Sequence, residues 1–214
     1  MTPRATPVAV DAPVRLWRIS LTPHPGDDQH ALLDDEDRAR LPRMDRDVRA
    51  RLLARRAVLR QVVATELAVV PASLALERID GRLVVHTDDG RTARPSTSSS
   101  GDIGLVALAD GPVGVDVEAR APVPEAADIA RDLFHPDEVR WIGEGEGQLE
   151  RFLAVWVRKE AVVKLSGEGL QRDLRTFRVA PGDAEERVSG EGLGRVATRG
   201  VAIEGTVAAV AWLT

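Results

Sequence analysis

The sequence predicts an α+β protein in which each half of the chain contributes helices and a small antiparallel sheet. Three observations lead there. Between Arg46 and Ala68 the apolar residues Val48, Leu52, Leu59, Val62, Val63 and Leu67 fall near a 3.6-residue period, the mark of an amphipathic helix. From Val113 to Glu118 the period is two: Val115 and Val117 alternate with Asp116 and Glu118, as on a strand that buries one face. The third is size. A chain of 214 residues, 43% hydrophobic, can bury one good core or two small ones, and its elements are ordered so that both halves hold helices and strands.

Residues 1–13, rich in Pro, Ala and Thr, read as a loose arm. Val14 to Leu21 is the first strand, broken by the run from Thr22 to Asp28. A short helix is expected from His30 to Leu41, since acids lead it (Asp34 to Asp37) and Arg38 and Arg40 close it, as the helix dipole favours; Pro42 ends it. The long helix from Arg46 to Ala68 has a polar side made almost entirely of arginine. Gly81 to Thr87 is a strand, turned by Asp88, Asp89 and Gly90 into a second one toward Ser98. Ile103 to Ala109 and Val113 to Val117 are expected to form a hairpin over Asp110, Gly111 and Pro112. Helices follow at Glu125 to Leu133, Pro136 to Ile142 and Leu149 to Leu165, with Gly143 to Gly147 as a flexible break. The tail alternates Gly-rich turns with β-branched runs, which implies antiparallel strands. Domain boundaries are expected at 13/14 and 102/103, giving an arm, an N-terminal lobe (14–102) and a C-terminal lobe (103–214).

Composition removes several functions. The chain has no cysteine, so disulfides, thiolate metal sites and cysteine nucleophiles are excluded. His24, His30, His86 and His135 show no ligand spacing. A net charge of −5 argues against general nucleic-acid binding. No apolar run reaches the ~18 residues of a membrane span and residues 1–13 lack a signal-peptide core, so a cytoplasmic protein is expected. The charge is uneven, however: nine arginines lie between Arg38 and Arg60, dense enough to hold a polyanionic small molecule.

The chemistry concentrates between Pro112 and Leu170. On a strand, Asp116 and Glu118 leave the sheet on one face. On a helix, Phe152, Trp156, Glu160 and Lys164 recur every four residues and form one stripe, so Glu160 joins the two acids if that helix packs over the strand. Three carboxylates without histidine or cysteine are a hard-oxygen set suited to Mg²⁺, which commonly completes its shell with waters and substrate phosphates. Of the 29 basic residues only Lys159 and Lys164 are lysines, and both flank Glu160, where a compact ammonium could meet a phosphate oxygen. Taken singly, an acidic pair on a strand is ordinarily a solvated face and a Lys–Glu pattern on a helix a surface ion pair. Their combination carries the argument.

That combination resembles the 4′-phosphopantetheinyl transferases of the double-length type named after the surfactin-synthetase-activating enzyme Sfp. The resemblance rests on the V-G-V-D-V-E run (Val113 to Glu118), the W-x-x-K-E-A-x-x-K helix (Trp156 to Lys164) and the G-x-G-L turn (Gly167 to Leu170), with Phe134 to Glu138 matching an F-x-x-x-E helix start. It covers Arg15 to Leu170. Ser96 to Gly101 stands where the family has N-x-S-H-S-G, with Ser99 in place of the histidine, and Gly81-Arg82-Leu83 where it has G-K-P.

The resemblance implies two similar, pseudo-twofold-related lobes with the active site between them, the N-terminal lobe taking the nucleotide end of coenzyme A and the C-terminal lobe the metal and catalytic residues. It implies transfer of the 4′-phosphopantetheine arm from coenzyme A to a serine of an apo acyl or peptidyl carrier protein, releasing 3′,5′-ADP. Asp116, Glu118 and Glu160 would hold Mg²⁺, and Lys164 and Lys159 would contact phosphate. Arg40, Arg43, Arg51, Arg82, Ser98, Ser99 and Ser100 would line the coenzyme A site. Glu160 is placed ahead of Lys159 as base toward the carrier serine, a choice that the residues leave open. With basic wall and acids on one chain, a monomer is expected. A non-catalytic member that binds coenzyme A or a carrier protein without transfer is the alternative, kept by Ser99 and by the missing proline after Arg82.

Overall fold

The computed structural model describes residues 4–22, 33–168, 172–179, 186–190 and 192–214. The expected start of the first helix at His30, together with His24, Gly169 and Leu170, lies outside the described residues.

Two four-stranded antiparallel sheets form the frame. The first has the order β1 (Ala5–Val8), β2 (Arg15–Ser20), β7 (Ile103–Leu108), β6 (Ser96–Ser100). The second has the order β10 (Glu186–Arg187), β12 (Val196–Val201), β13 (Thr206–Leu213), β8 (Val113–Ala119). Smaller sheets are made by β3 (Ala75–Ile79), β4 (Arg82–His86) and β5 (Thr92–Ala93), and by β9 (Phe177–Arg178) with β11 (Ser189–Gly190). The helices are α1 (Asp35–Arg40), α2 (Arg46–Leu67), α3 (Ala126–Leu133), α4 (Pro136–Ile142) and α5 (Gln148–Ser166). None of them is long and apolar enough to cross a membrane.

The period-two pattern explains how the sheets face each other. Leu16, Leu105 and Ala107 of the first sheet share a buried cluster with Val113, Val115, Val117, Val210 and Trp212 of the second. On its other face the first sheet offers Ile19, Val106 and Leu108 to Val58, Leu59, Val62 and Val63 of α2. Ala211 and Val196 of the second sheet join Phe152, Val155 and Val162 of α5. The order through the molecule is therefore helix, sheet, sheet, helix, one sheet and one long helix from each half.

Local chemistry sets the helix ends. The Asp45 side chain accepts hydrogen bonds from Asp47 N and Val48 N at the start of α2, a cap worth about 1 kcal/mol, and Ala68 closes the helix at φ 53°. His135 and Glu138 cap α4 reciprocally. Near its C-terminal end α5 crosses β8 at Gly114, where a side-chain methyl would overlap the backbone carbonyl of Ala161. Gly114→Ala is therefore expected to lower stability by about 1–3 kcal/mol, read as a drop in urea midpoint, because backbone rather than a movable side chain would have to yield.

Three expectations are corrected. Ala5–Val8 is not arm but an edge strand paired with β2, in register Ala5 to Ile19. β7 and β8 do not form a hairpin: β7 pairs with β2 and β6, and β8 with β13. Apart from Ile103, β7 is buried along its whole length, so it needs neighbours on both sides and covered faces above and below, and Asp110 to Pro112 instead carries the chain across to the facing sheet. For the same reason a boundary at 102/103 would cut the first sheet, in which β7 pairs with β2 and β6.

Candidate active site

β8 and β6 are the edges at which the two sheets meet, and serine hydroxyls join them. Ser96 Oγ accepts from Val115 N and Ser100 Oγ from Ala119 N, each at 3.0 Å, satisfying donors that an edge strand would otherwise leave open. The same serine strand reaches the acids: Ser98 Oγ donates to Asp116 Oδ1 at 2.7 Å and Ser100 Oγ to Glu118 Oε2 at 3.1 Å. Ser98 and Ser100, expected to line the coenzyme A site, are hydrogen-bonded to the two carboxylates.

The stripe on α5 lies over that point. Trp156 stacks on Phe152 at 6.1 Å, Phe152 on Phe134 at 5.6 Å, and the indole N–H donates to Glu118. One turn on, Glu160 stands near Asp116 and Glu118; a further turn on, Lys164 Nζ donates to Asp116 Oδ1 at 2.6 Å. Burial, then the Asp116 charge, push the Glu118 carboxyl above its ordinary value. Glu160 is raised by burial, then by Asp116, with Glu118 adding to it and Lys164 opposing. Three carboxylates thus share a low-dielectric space in which Lys164 is the neighbouring cation.

Among the described residues no three such groups are already gathered as a metal cage. The donor set nevertheless suits a hard cation: Asp116 is 4% exposed, and its Oδ2 is buried without a hydrogen-bond partner. An orphaned carboxylate oxygen beside two carboxyls strained toward protonation is a place where a divalent ion would relieve cost rather than add it.

Lys159 does not join this group. Its side chain is fully buried, and Nζ donates to Glu138 Oε2, Leu174 O and Phe177 O, all at 2.8 Å, above the Phe177 ring. All three donors are used, so none is left for a phosphate. One position along a helix turns a side chain by about 100°, which separates Lys159 from Glu160 although they are adjacent in sequence.

Beside the acids lies a hollow of about 700 Å³ lined by both halves, including Arg55, Arg82 and Ser96 on one side and Glu160, Lys164 and Gly167 on the other. Arg82 donates to the Ser166 carbonyl at the end of α5. A second hollow of about 290 Å³ is lined by Arg40, Arg51, Arg55, Ser99 and Gly101, with Asp37 and Arg78. Arg40 pairs with Glu36 at 3.5 Å and Arg51 with Asp102 at 3.7 Å, both exposed. Arg43 is exposed in the single 3-10 turn Leu41–Arg43 and lines neither hollow.

Beneath the second hollow, Arg56 and Asp37 form a buried ion pair at 2.5 Å, and Arg78 lies 3.4 Å from Asp34 and 3.6 Å from Asp37. Burial alone would raise the Asp37 carboxyl, but the hydrogen bond and charge of Arg56, with Arg78 behind it, hold it below its ordinary value of 3.8. A depressed carboxylate contributes stability above its unfolded pKa and loses it as pH falls through the folded one. Asp37→Asn is thus expected to cost about 3–5 kcal/mol at neutral pH, because it strands a buried guanidinium, and its cost should shrink toward zero in denaturation series carried below pH 3.8.

The family model described as the 4′-phosphopantetheinyl transferase superfamily matches residues 112–205. A protein of Synechocystis sp. named as a 4′-phosphopantetheinyl transferase is 32% identical over 149 residues, 67% of this chain and 61% of that protein. A 4′-phosphopantetheinyl transferase of Bacillus pumilus is 38% identical over 82 residues, 37% of this chain and 34% of that one. The chain thus spans less than two thirds of these relatives. The Thermotoga maritima holo-acyl-carrier-protein synthase structure covers 47% of this chain and 61% of that one at 18% identity and a TM-score of 0.40, too loose a likeness to add to the argument. Residues 112–205, which include the acids of β8 and the whole of α5, belong to the 4′-phosphopantetheinyl transferase superfamily.

Proposed function

We propose that this chain transfers the 4′-phosphopantetheine arm of coenzyme A to a serine of an apo acyl or peptidyl carrier protein, as a transferase of the double-length type. The observation that carries the reading is the convergence of Asp116, Glu118, Glu160 and Lys164 at the edge of a hollow lined by both halves. Coenzyme A would lie in that hollow with its pyrophosphate over the acids, Arg82 toward the adenine and the 3′-phosphate toward Arg40 and Arg51.

In the transfer, the serine oxygen forms a bond to the pantetheine-side phosphorus while the bond to the bridging oxygen breaks and 3′,5′-ADP leaves. Such chemistry asks the protein for positioning and charge neutralisation. Asp116, Glu118 and Glu160 would hold Mg²⁺, which when bound neutralises charge on the pyrophosphate. Lys164 neutralises a phosphate oxygen and keeps Asp116 in place. Glu160 would accept the serine proton, directly or through a water. Ser98 and Ser100 fix the two β8 carboxylates. Both walls of the site come from one chain, which supports a monomer, and the arginine-rich side suits an acidic carrier.

Chromatography of the nucleotide products tests this. The expected result is 3′,5′-ADP formed from coenzyme A and Mg²⁺ only when apo-carrier is present. Release without a carrier would indicate a hydrolase; no release with a range of apo-carriers would indicate a binding protein.

A further inference from the structure

The arginines of α2 are not alike, and Arg55 stands apart. Arg56, one residue on, has Asp37 and Asp34 within reach, and Arg78 opposite it shares Asp34, Asp37 and Glu36. Arg55 makes no ion pair among the described residues. Its Nη1 donates to Ser99 Oγ at 3.3 Å, and its Nε is buried without a partner. It borders both hollows, whereas Arg40 and Arg51 border only the second.

A half-buried guanidinium in this setting costs the fold free energy. Burial, then the charge of Arg56, pull its pKa down to about 10; Asp37 opposes them, and Arg78 and Arg40 add to the repulsion. The nearby acids are engaged elsewhere: Asp34, Asp37 and Glu36 by Arg56 and Arg78, and Asp102 by Arg51. A cation kept at such a cost, with an unpartnered Nε beside two hollows, fits an anion that arrives from outside. The guanidiniums of Arg40 and Arg51 in the same hollow give that anion several donors at once, which favours a compact dianion over a single carboxylate.

We propose that Arg55 reads a terminal phosphate monoester of the bound nucleotide, with Ser99 holding its guanidinium at the junction of the two hollows. The assignment rests on the reading of the hollow as the coenzyme A site and adds a residue to it. Ser99, which departs from the resembled motif, thereby gains a role through Arg55, not through its own contact with the substrate. The fixed, partly desolvated fork gives the phosphate a larger share of the binding free energy than exposed Arg40 and Arg51 can supply.

The test uses adenosine 3′,5′-bisphosphate and adenosine 5′-monophosphate, titrated calorimetrically into the intact chain at low salt. Wild type is expected to bind the bisphosphate more tightly. Arg55→Gln should weaken bisphosphate binding by about tenfold or more while shifting the monophosphate less than about twofold, and Arg131→Gln, at an exposed ion pair on α3, should match wild type. Without ligand, the Arg55→Gln melting temperature should equal or exceed that of wild type, because an unpaired, half-buried charge has been removed. Equal binding of the two nucleotides by wild type, equal weakening of both by Arg55→Gln, or a ligand-free melting temperature lowered by that variant would each overturn the assignment, the last by making Arg55 a structural tie. No carrier and no transfer enter the measurement, so a failure to modify carriers and a failure of this assignment are separately visible.

Discussion

Asp116→Asn is expected to reduce carrier modification by on the order of a hundredfold or more while leaving the fold intact. Asparagine has nearly the same volume and can still accept from Ser98 Oγ, so the junction of β6 and β8 should hold. What is lost is the charge. Oδ2, buried and without a partner, is the atom with the most to gain from a cation, and Lys164 Nζ loses the negative charge it faces at 2.6 Å. Glu118→Gln and Glu160→Gln should act in the same direction, since each removes one of the carboxylates proposed to hold the cation. Steady-state transfer at limiting Mg²⁺, with circular-dichroism melts beside it, is the check. A folded Asp116→Asn variant that turns over at close to the wild-type rate would remove the acids from the reaction.

A stability effect as large as that of Asp37→Asn is expected from Lys159→Met, about 3–5 kcal/mol in urea unfolding. The ammonium closes three hydrogen bonds at 2.8 Å that tie α5 to α4 and to the 174–179 segment. Burial lowers the Lys159 pKa and Glu138 opposes that shift, so the pair survives only through the completeness of its partners. Glu138 would keep the N–H groups of His135 and Val179 but lose its counter-charge. Lys164→Met provides the contrast. Its side chain is 30% exposed, and its loss should leave the urea midpoint close to wild type while lowering transfer. If the two variants exchange these phenotypes, the division between a structural and a functional lysine is wrong.

Much of the site was legible because it depends on two simple periods. The two-residue period of Val113 to Glu118 put both carboxylates on one face, and the four-residue spacing from Phe152 to Lys164 put Trp156, Glu160 and Lys164 on another. The structure joins these faces through Trp156 to Glu118 and Lys164 to Asp116. Scarcity of lysine was a weaker guide: it singled out Lys164, which stands beside Asp116, and equally Lys159, which does not, since composition carries no azimuth around a helix. Turn chemistry at Asp110 to Pro112 was compatible with a hairpin and with a crossing between sheets; burial of β7 on both faces decided it. The role of the serines depends on which strand edges meet, information absent from any local window. Arg55 was hidden among nine arginines. The Arg55–Arg56 doublet was visible, but only the carboxylates brought in by α1 show which of the two is satisfied.

The measurement closest to the central claim is the intact mass of an apo-carrier protein after incubation with this chain, coenzyme A and Mg²⁺. The account predicts a gain equal to one phosphopantetheine arm, located on a single serine by peptide mapping, present with wild type and lost with Asp116→Asn. A carrier whose mass is unchanged by wild-type protein that binds coenzyme A under the same conditions, across acyl and peptidyl carriers, would contradict it.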